Sequence, residues 1–232
     1  MFQSLPKLDR HSVVVIQVNL ATAPAAETML DDDELRRARR FMFERDYRRF
    51  VTARTALRGY LGAWLGVSPQ SVDIAYAAGG KPVLRDQESG LRFNISHAGD
   101  YALIAVASGR EVGIDIEQVR DIDVTAVART MFSEREQMAL AATAHAHRLE
   151  AFYRGWTRKE SFLKALGSGL DFPAARFDVS LAVDPPRVLL TCCAAPHELH
   201  RWTISTPSTP PDYVAAITVQ GFDFNIQLCH QT

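Results

Sequence analysis

The chain has 232 residues, 47% apolar and 23% charged, enough for one large domain or two small ones with a real core, and such a composition excludes disorder. Its 26 basic and 27 acidic residues leave a net charge of −1, without the basic excess of a dedicated nucleic-acid binder. The first apolar run, Val13 to Ile16, is too short for a secretory h-region or a bilayer span, so the chain is expected in the cytoplasm and off the membrane.

The β-rich run Val13 to Leu20 predicts a first strand. Asp31-Asp32-Asp33-Glu34-Leu35 puts acidic residues where a helix N-terminus favours them. An arginine-rich stretch follows, with Arg36, Arg37, Arg39, Arg40, Arg45, Arg48, Arg49, Arg54 and Arg58. Most of these are expected on a solvated face; a subset could gather phosphate, whose oxygens match the guanidinium fork. An amphipathic helix then ends at Leu57-Arg58-Gly59-Tyr60-Leu61-Gly62. Gly79-Gly80-Lys81-Pro82 reads as a turn into an extended segment without the spacing of a Walker A loop; Lys81 could still touch a nucleotide. Phe93-Asn94-Ile95-Ser96-His97-Ala98-Gly99-Asp100 is a strand running into a tight turn, where a hydroxyl, an imidazole and backbone N–H groups could meet an anion. A structural histidine is the plainer reading of His97 alone.

A second β-rich run, Val112 to Val119, contains Gly113-Ile114-Asp115-Ile116-Glu117. Alternation sends Ile114 and Ile116 to a core and Asp115 and Glu117 together to the other face, about 7 Å apart. Water explains most such pairs; a hard divalent cation is the alternative. Ser133-Glu134-Arg135-Glu136 is a capping-box start. In the next helix Phe152, Trp156, Leu163 and Leu166 form a buried stripe, with Glu160 at its border and Lys164 four residues on. That pair is either an ordinary ion pair or the base and the phosphate-neutralising cation of a transfer site. The three cysteines, Cys192, Cys193 and Cys229, make no metal or redox pattern and read as small buried residues of a reducing compartment. His197-Glu198-Leu199-His200 lacks the spacing of a zinc helix.

The chain repeats itself. Gly62 matches Gly167 at an offset of 105, Phe93 to Ser96 matches Trp202 to Ser205 at 109, and Asp100 to Val106 matches Asp212 to Thr218 at 112. Strand, acidic helix start, long helix and paired strands recur in that order. The expected fold is therefore α+β and internally duplicated, with one half over 1–109 and the other, carrying the acidic cluster, over 110–232. A ligand is expected where they meet.

Taken together, Gly80-Lys81-Pro82, the strand ending in Ser96-His97, G-I-D-I-E and Trp156-Thr157-Arg158-Lys159-Glu160-Ser161-Phe162-Leu163-Lys164 resemble the signature blocks of the 4'-phosphopantetheinyl transferases, of the longer, surfactin-synthetase-activating type. The resemblance implies a pseudo-twofold monomer that binds coenzyme A between its halves and moves the phosphopantetheine arm to a serine of an apo carrier protein. It implies Mg2+ on Asp115, Glu117 and Glu160, with Glu160, Lys164 and Asp115 catalytic. Ser96 and His97 would meet the phosphates, with Lys159 and Lys164 beside the pyrophosphate. Lys81 and Pro82 would lie along the adenosine, and Arg49 and Arg37 would reach the 3'-phosphate. Glu34 departs from the pattern, standing where the family often has a phosphate-binding lysine. A non-catalytic module of the same fold and a magnesium-dependent hydrolase are the competing readings; the intact Asp115, Glu117, Glu160 and Lys164 argue against the first.

Overall fold

A computed structural model describes residues 5–77, 79–167 and 172–231. In the first half, β1 (Ser12–Asn19) leads through α1 (Asp32–Ala38) to the long α2 (Glu44–Leu65), a short hairpin of β2 (Ile74–Tyr76) and β3 (Pro82–Leu84), then β4 (Leu91–Ala98) and β5 (Tyr101–Ser108). The second half runs β6 (Val112–Gln118), α3 (Val124–Met131), α4 (Glu134–Ala142), α5 (His145–Leu166), β7 (Phe177–Val179), β8 (Leu189–Cys192), β9 (Trp202–Ser205), β10 (Tyr213–Gln220) and β11 (Asn225–His230).

The duplication is visible in the pairing. β1, β5 and β4 form an antiparallel set in that spatial order, and β6, β10 and β9 repeat it. Each half lays one 22-residue helix over its sheet, α2 or α5, and each helix stops at a left-handed glycine, Gly66 or Gly167, both at φ 70°. The helices therefore match at an offset of 101, not the 105 that Gly62 suggests; Gly62 lies inside α2, where an added Cβ would meet Val67 O at 2.9 Å. The β4–β9 match also shifts by two residues. With Tyr101 on Tyr213, the registers place Asn94 on Ser205, which keeps each residue on its face.

Alternation along the strands builds four layers. Val14, Ile16, Val18, Ile104 and Val106 pack under α2 with Leu57 and Leu61. Their neighbours Val13, Val15, Leu103 and Ala105 face Ile114, Ile116, Ile217 and Val219 of the other sheet. Beyond that sheet, Phe162 and Ala165 of α5 pack with Ala216, Trp202 and Ile204. Both faces of both sheets are thus covered, which is why the strands read as nearly continuous apolar runs.

The last strand crosses the boundary. β11 pairs in parallel with β1, so residues 225–230 complete the sheet of the first half although they follow the second in sequence. The division at 109/110 therefore separates the two three-stranded sets but not the finished sheets.

α1 opens on a capping box in which Asp31 accepts from Glu34 N at 2.8 Å, and α4 opens on the predicted one between Ser133 and Glu136. The arginine-rich stretch departs from a solvated face at two points. Arg58 is fully buried, bonded to Glu34 at 2.5 Å, to Asp31, and to the carbonyls of Pro69 and Val72 at 3.1 and 2.9 Å, and so ties α1 to α2. Arg54 is 7% exposed. Of the cysteines, Cys192 is buried as expected, whereas Cys193 is exposed.

Candidate active site

The site begins with a close approach. Gly113 lies so near α5 that an added Cβ would stand 2.1 Å from Ser161 O and 2.3 Å from Ala165 N. Any side chain there would push helix from strand. With the two in contact, the alternate residues Gly113, Asp115 and Glu117 run along α5 against Ala165, then Lys164, then Trp156 and Glu160. Trp156, Glu160 and Lys164 are four apart, on one side of the helix.

β4 closes the other side. It abuts β6 without a ladder; the Asn94 Oδ1 accepts from Ile114 N at 2.9 Å, satisfying the strand edge. Two residues on, Ser96 Oγ donates to Asp115 Oδ1 at 2.9 Å, and Lys164 Nζ bonds both Ser96 Oγ at 3.0 Å and Asp115 Oδ1 at 2.5 Å. The turn after β4 locks against the second half. Gly99, at φ 51°, has the Tyr213 hydroxyl where a Cβ would be, and that hydroxyl accepts from Asp100 N at 3.1 Å. Tyr101 and Tyr213, equivalent positions of the two halves, meet edge to face at 5.0 Å.

The charges are held under tension. Asp115 is 2% exposed, its carboxyl raised by burial against the pull of Lys164, and its Oδ2 is buried with no hydrogen-bond partner. Glu117 is pushed up to about 7 by burial and then by Asp115, with Glu160 adding to the shift. Burial and Asp115 also raise Glu160, which accepts no hydrogen bond among the described residues. Three carboxylates, one buried and two half-buried, against one ammonium leave an excess of acidic groups. An orphaned carboxylate oxygen amid hard oxygen donors fits a divalent cation such as magnesium. Among the described residues no three such side chains stand close enough to enclose an ion as they are, and Lys164 covers one oxygen of Asp115.

The sign of the Glu117 shift makes a prediction. Its folded pKa lies near 7 against 4.5 for the free side chain, so the folded state holds a proton that the unfolded state releases, and stability falls as pH rises between those values. Glu117→Gln has no such penalty. In EDTA at pH 8 the variant will resist urea better than the parent, and the difference will vanish below pH 4.5; equal midpoints at pH 8 would contradict this.

The cleft beside this cluster has a volume of about 330 Å³ and draws on both halves: Gly80 to Pro82, Asn94 and Ile95 from the first, Glu160, Lys164 and Gly167 from the second. A larger cavity of about 590 Å³, between α4, α5 and residues 178–183, shares no residue with it. Cations gather beyond the rim of the cleft of about 330 Å³, around His97 and not far from Lys164. His97, exposed at the edge, is pushed below its usual pKa by the protein around it and then by Lys164, Arg54, Arg37 and Arg49. Arg49 reaches Asp100 at 2.5 Å, and Arg37 and Arg54 both lie over the Phe50 ring at 5.5 Å.

Most of the predicted residues therefore fall into two groups: Asp115, Glu117, Glu160, Lys164 and Ser96 at the carboxylate cluster, and His97, Arg37 and Arg49 near one another beyond the cleft's rim. Two do not stand as expected. Lys159 is fully buried on another side of α5, bonded to Glu136 at 2.7 Å and Phe177 O at 2.7 Å, so it does not reach the cleft. Lys81 lines the cleft, but its ammonium is taken up by Glu111 at 2.9 Å and the C-terminal Ala165 O of α5 at 3.2 Å, joining the halves. One residue was missed. Arg54 sits beside Glu34 at 3.6 Å and Tyr76 at 3.3 Å, with its Nη1 buried and unpartnered. An unpartnered donor near His97, Arg37 and Arg49 is a place for an anion. The sequence signal was its spacing: Arg54 and Arg58 lie on the buried side of α2 with Phe50, Leu57 and Leu61.

Known proteins match this chain over both halves. Residues 20–109 match the family described as "4'-phosphopantetheinyl transferase, N-terminal", and residues 111–218 match the "4'-phosphopantetheinyl transferase superfamily". The 4'-phosphopantetheinyl transferase HetI of Nostoc sp. is 38% identical over 206 residues, covering 87% of this chain and 83% of its own. The 4'-phosphopantetheinyl transferase psf-1 of Bacillus pumilus is 32% identical, with 78% and 74% covered. The L-aminoadipate-semialdehyde dehydrogenase-phosphopantetheinyl transferase of Homo sapiens is 30% identical over 66% of this chain but only 53% of its own length.

Proposed function

Because the chain belongs to the 4'-phosphopantetheinyl transferases, enzymes that carry phosphopantetheine from coenzyme A to carrier proteins, we propose that Glu160 is its base, that Asp115, Glu117 and Glu160 hold Mg2+, and that the rim arginines bind the far end of coenzyme A. The observation that carries this reading is the buried, unpartnered Oδ2 of Asp115 within a cluster of three mutually destabilising carboxylates. When bound, magnesium would neutralise that cluster and draw charge from the pyrophosphate.

The reaction then follows from the side chains. The carrier serine is a poor nucleophile until its proton leaves. Glu160 accepts no hydrogen bond among the described residues, and burial and Asp115 raise its carboxyl above the usual range, which makes it a better proton acceptor than a free carboxylate. Serine Oγ bonds to the phosphorus nearest the pantetheine, the bond from that phosphorus to the bridging oxygen breaks, and adenosine 3',5'-bisphosphate departs. Lys164, 29% exposed and reaching the cleft, neutralises charge on the departing oxygen. Ser96 fixes Asp115 and Lys164 relative to each other. Arg37, Arg49, Arg54 and His97 would take the 3'-phosphate. Arg54 would then supply the cation at a place where Glu34 carries the opposite charge, which Arg58 and Arg54 offset. The duplicated chain supplies both walls of the cleft, which supports a monomer, and no described helix is long and apolar enough to cross a membrane. We place the reaction in the cytoplasm.

The direct test is the intact mass of an apo carrier incubated with coenzyme A, Mg2+ and this protein. A gain of one phosphopantetheine that is lost with EDTA supports the reading, and no gain across fatty-acid, polyketide and peptide carriers would sink it. For the rim, Arg54→Met should raise KM for coenzyme A about tenfold, the loss of one charged hydrogen bond, while leaving KM for dephospho-coenzyme A unchanged. An equal rise for both substrates would remove Arg54 from the phosphate site.

A further inference from the structure

An acid stands among the cations beyond the cleft's rim. The Asp100 carboxylate accepts from Arg49 Nε at 3.2 Å and Nη2 at 2.5 Å. Both ends of the pair are anchored. Asp100 N donates to the Tyr213 hydroxyl at 3.1 Å, and Asp100 O accepts from Leu20 N at 2.7 Å. Gly99, at φ 51°, holds the turn just before it against Tyr213 and Gln118. Arg49 is 21% exposed, with Asp46 3.8 Å away, one turn back on α2. The carboxylate thus stands on a fixed backbone and is aimed at the guanidinium, although half of it faces water.

The neighbouring arginines keep free donors. Arg37 takes no ion pair among the described residues, and Arg54 has one buried N–H without a partner. Those two can meet an anion as they stand, whereas Arg49 must first part from Asp100. Two anionic groups on one guanidinium repel each other, so the exchange is a competition. Its outcome depends on how the incoming anion arrives. A free ion brings only its own charge. A phosphate on a molecule already held in the cleft is present at high effective concentration and displaces the carboxylate.

We propose that Asp100 is a specificity-determining residue, an internal competitor that occupies Arg49 in the empty protein and yields it only to a phosphate delivered on a larger ligand. The inference rests on the reading above that these cations meet the 3'-phosphate of coenzyme A. Asp100 then keeps small free anions from filling the site, because none of them is tethered. It also loosens the hold on adenosine 3',5'-bisphosphate, which leaves with the same 3'-phosphate, and so favours release of the product. The acid acts through Arg49 and touches neither the reacting phosphorus nor the carboxylate cluster.

Asp100→Asn tests this, since the amide keeps the size and the backbone contacts and removes the charge; Asp100→Ser asks the same question should the amide not fold. KM for coenzyme A and the calorimetric Kd of adenosine 3',5'-bisphosphate should each fall about threefold or more, the scale of an exposed ion pair. KM for dephospho-coenzyme A should not move, and inorganic phosphate should inhibit the variant at lower concentration than the parent. The sign discriminates, because damage to the fold weakens binding and does not tighten it. An unchanged or raised KM for coenzyme A in a folded variant, with the parent still preferring coenzyme A to dephospho-coenzyme A, overturns the competitor and makes Asp100 a brace for Arg49. An equal fall for both substrates also overturns it. A parent that binds the two alike overturns the 3'-phosphate reading instead.

Discussion

Asp115→Asn will leave a folded protein whose transfer rate is lower by about a thousandfold or more. The substitution keeps the shape of a side chain that is 2% exposed and removes only its charge. That charge is costly in the free protein, since burial raises the carboxyl and Oδ2 has no partner. The variant should therefore melt no lower than the parent in EDTA, while losing the carboxylate around which the proposed cation site and Lys164 are arranged. Glu160→Gln should also abolish transfer, for a different reason. In the proposed role Glu160 is the general base, whose removal costs about 10²–10⁴, and the acid limb of the pH–rate profile should disappear with it. Steady-state rates, pH profiles and melting curves on the two variants separate these effects. A folded Asp115→Asn protein with near-parental turnover would remove the carboxylate cluster from the mechanism.

Lys159→Met will unfold or nearly unfold the protein, at a cost of about 3–5 kcal/mol, because it strands a carboxylate in the interior. Glu136 is 2% exposed and receives four bonds: two from Lys159 at 2.9 and 2.7 Å, one from Val179 N at 2.8 Å and one from Ser133 N at 2.8 Å. The pair thereby joins α5, the start of α4 and β7. Burial pushes the Glu136 carboxyl up and the Lys159 ammonium down, each toward its neutral form, and only their mutual attraction and these hydrogen bonds hold the charged pair. Lys159→Met with Glu136→Gln should recover most of the loss, since no charge is then left alone. Urea denaturation of the single and double variants measures this. The recovered double variant should retain transfer activity, which separates a structural lysine from one that touches substrate.

That lysine marks where the sequence was legible and where it was not. The pattern from Trp156 to Lys164 put Glu160 and Lys164 on one side of a helix, and they stand so, both looking onto β6. Lys159 lies one residue from Glu160, about 100° around the axis. It is also three from Trp156 and four from Leu163, inside the apolar stripe, and a lysine so placed must be buried and paired. Its partner lies 23 residues earlier, a capping residue whose second task no local pattern announces. Arg58 escaped for the same reason: its partners Asp31 and Glu34 could be read only as a helix start. G-I-D-I-E was read for alternation, which put Asp115 and Glu117 on one face but left that face open to solvent. Gly113, two residues earlier on the same face, was the sign that a helix covers it. The pairing order of the halves was visible as repeats, whereas the path of β11 was not, because Asn225 to His230 has no counterpart in the first half and half-exposed strands carry a weak signal.

That crossing strand also bears on how the molecule is made. Translation delivers β1 early and its neighbour β5 about ninety residues later, but the other edge of β1 waits for residues 225–230. Until residue 230 has left the ribosome, the first half carries an open, apolar strand edge of the kind that recruits other chains. The order of synthesis thus makes the nascent first half a client for protection during the whole passage of the second, and it makes late truncation a lesion of the earliest-formed sheet.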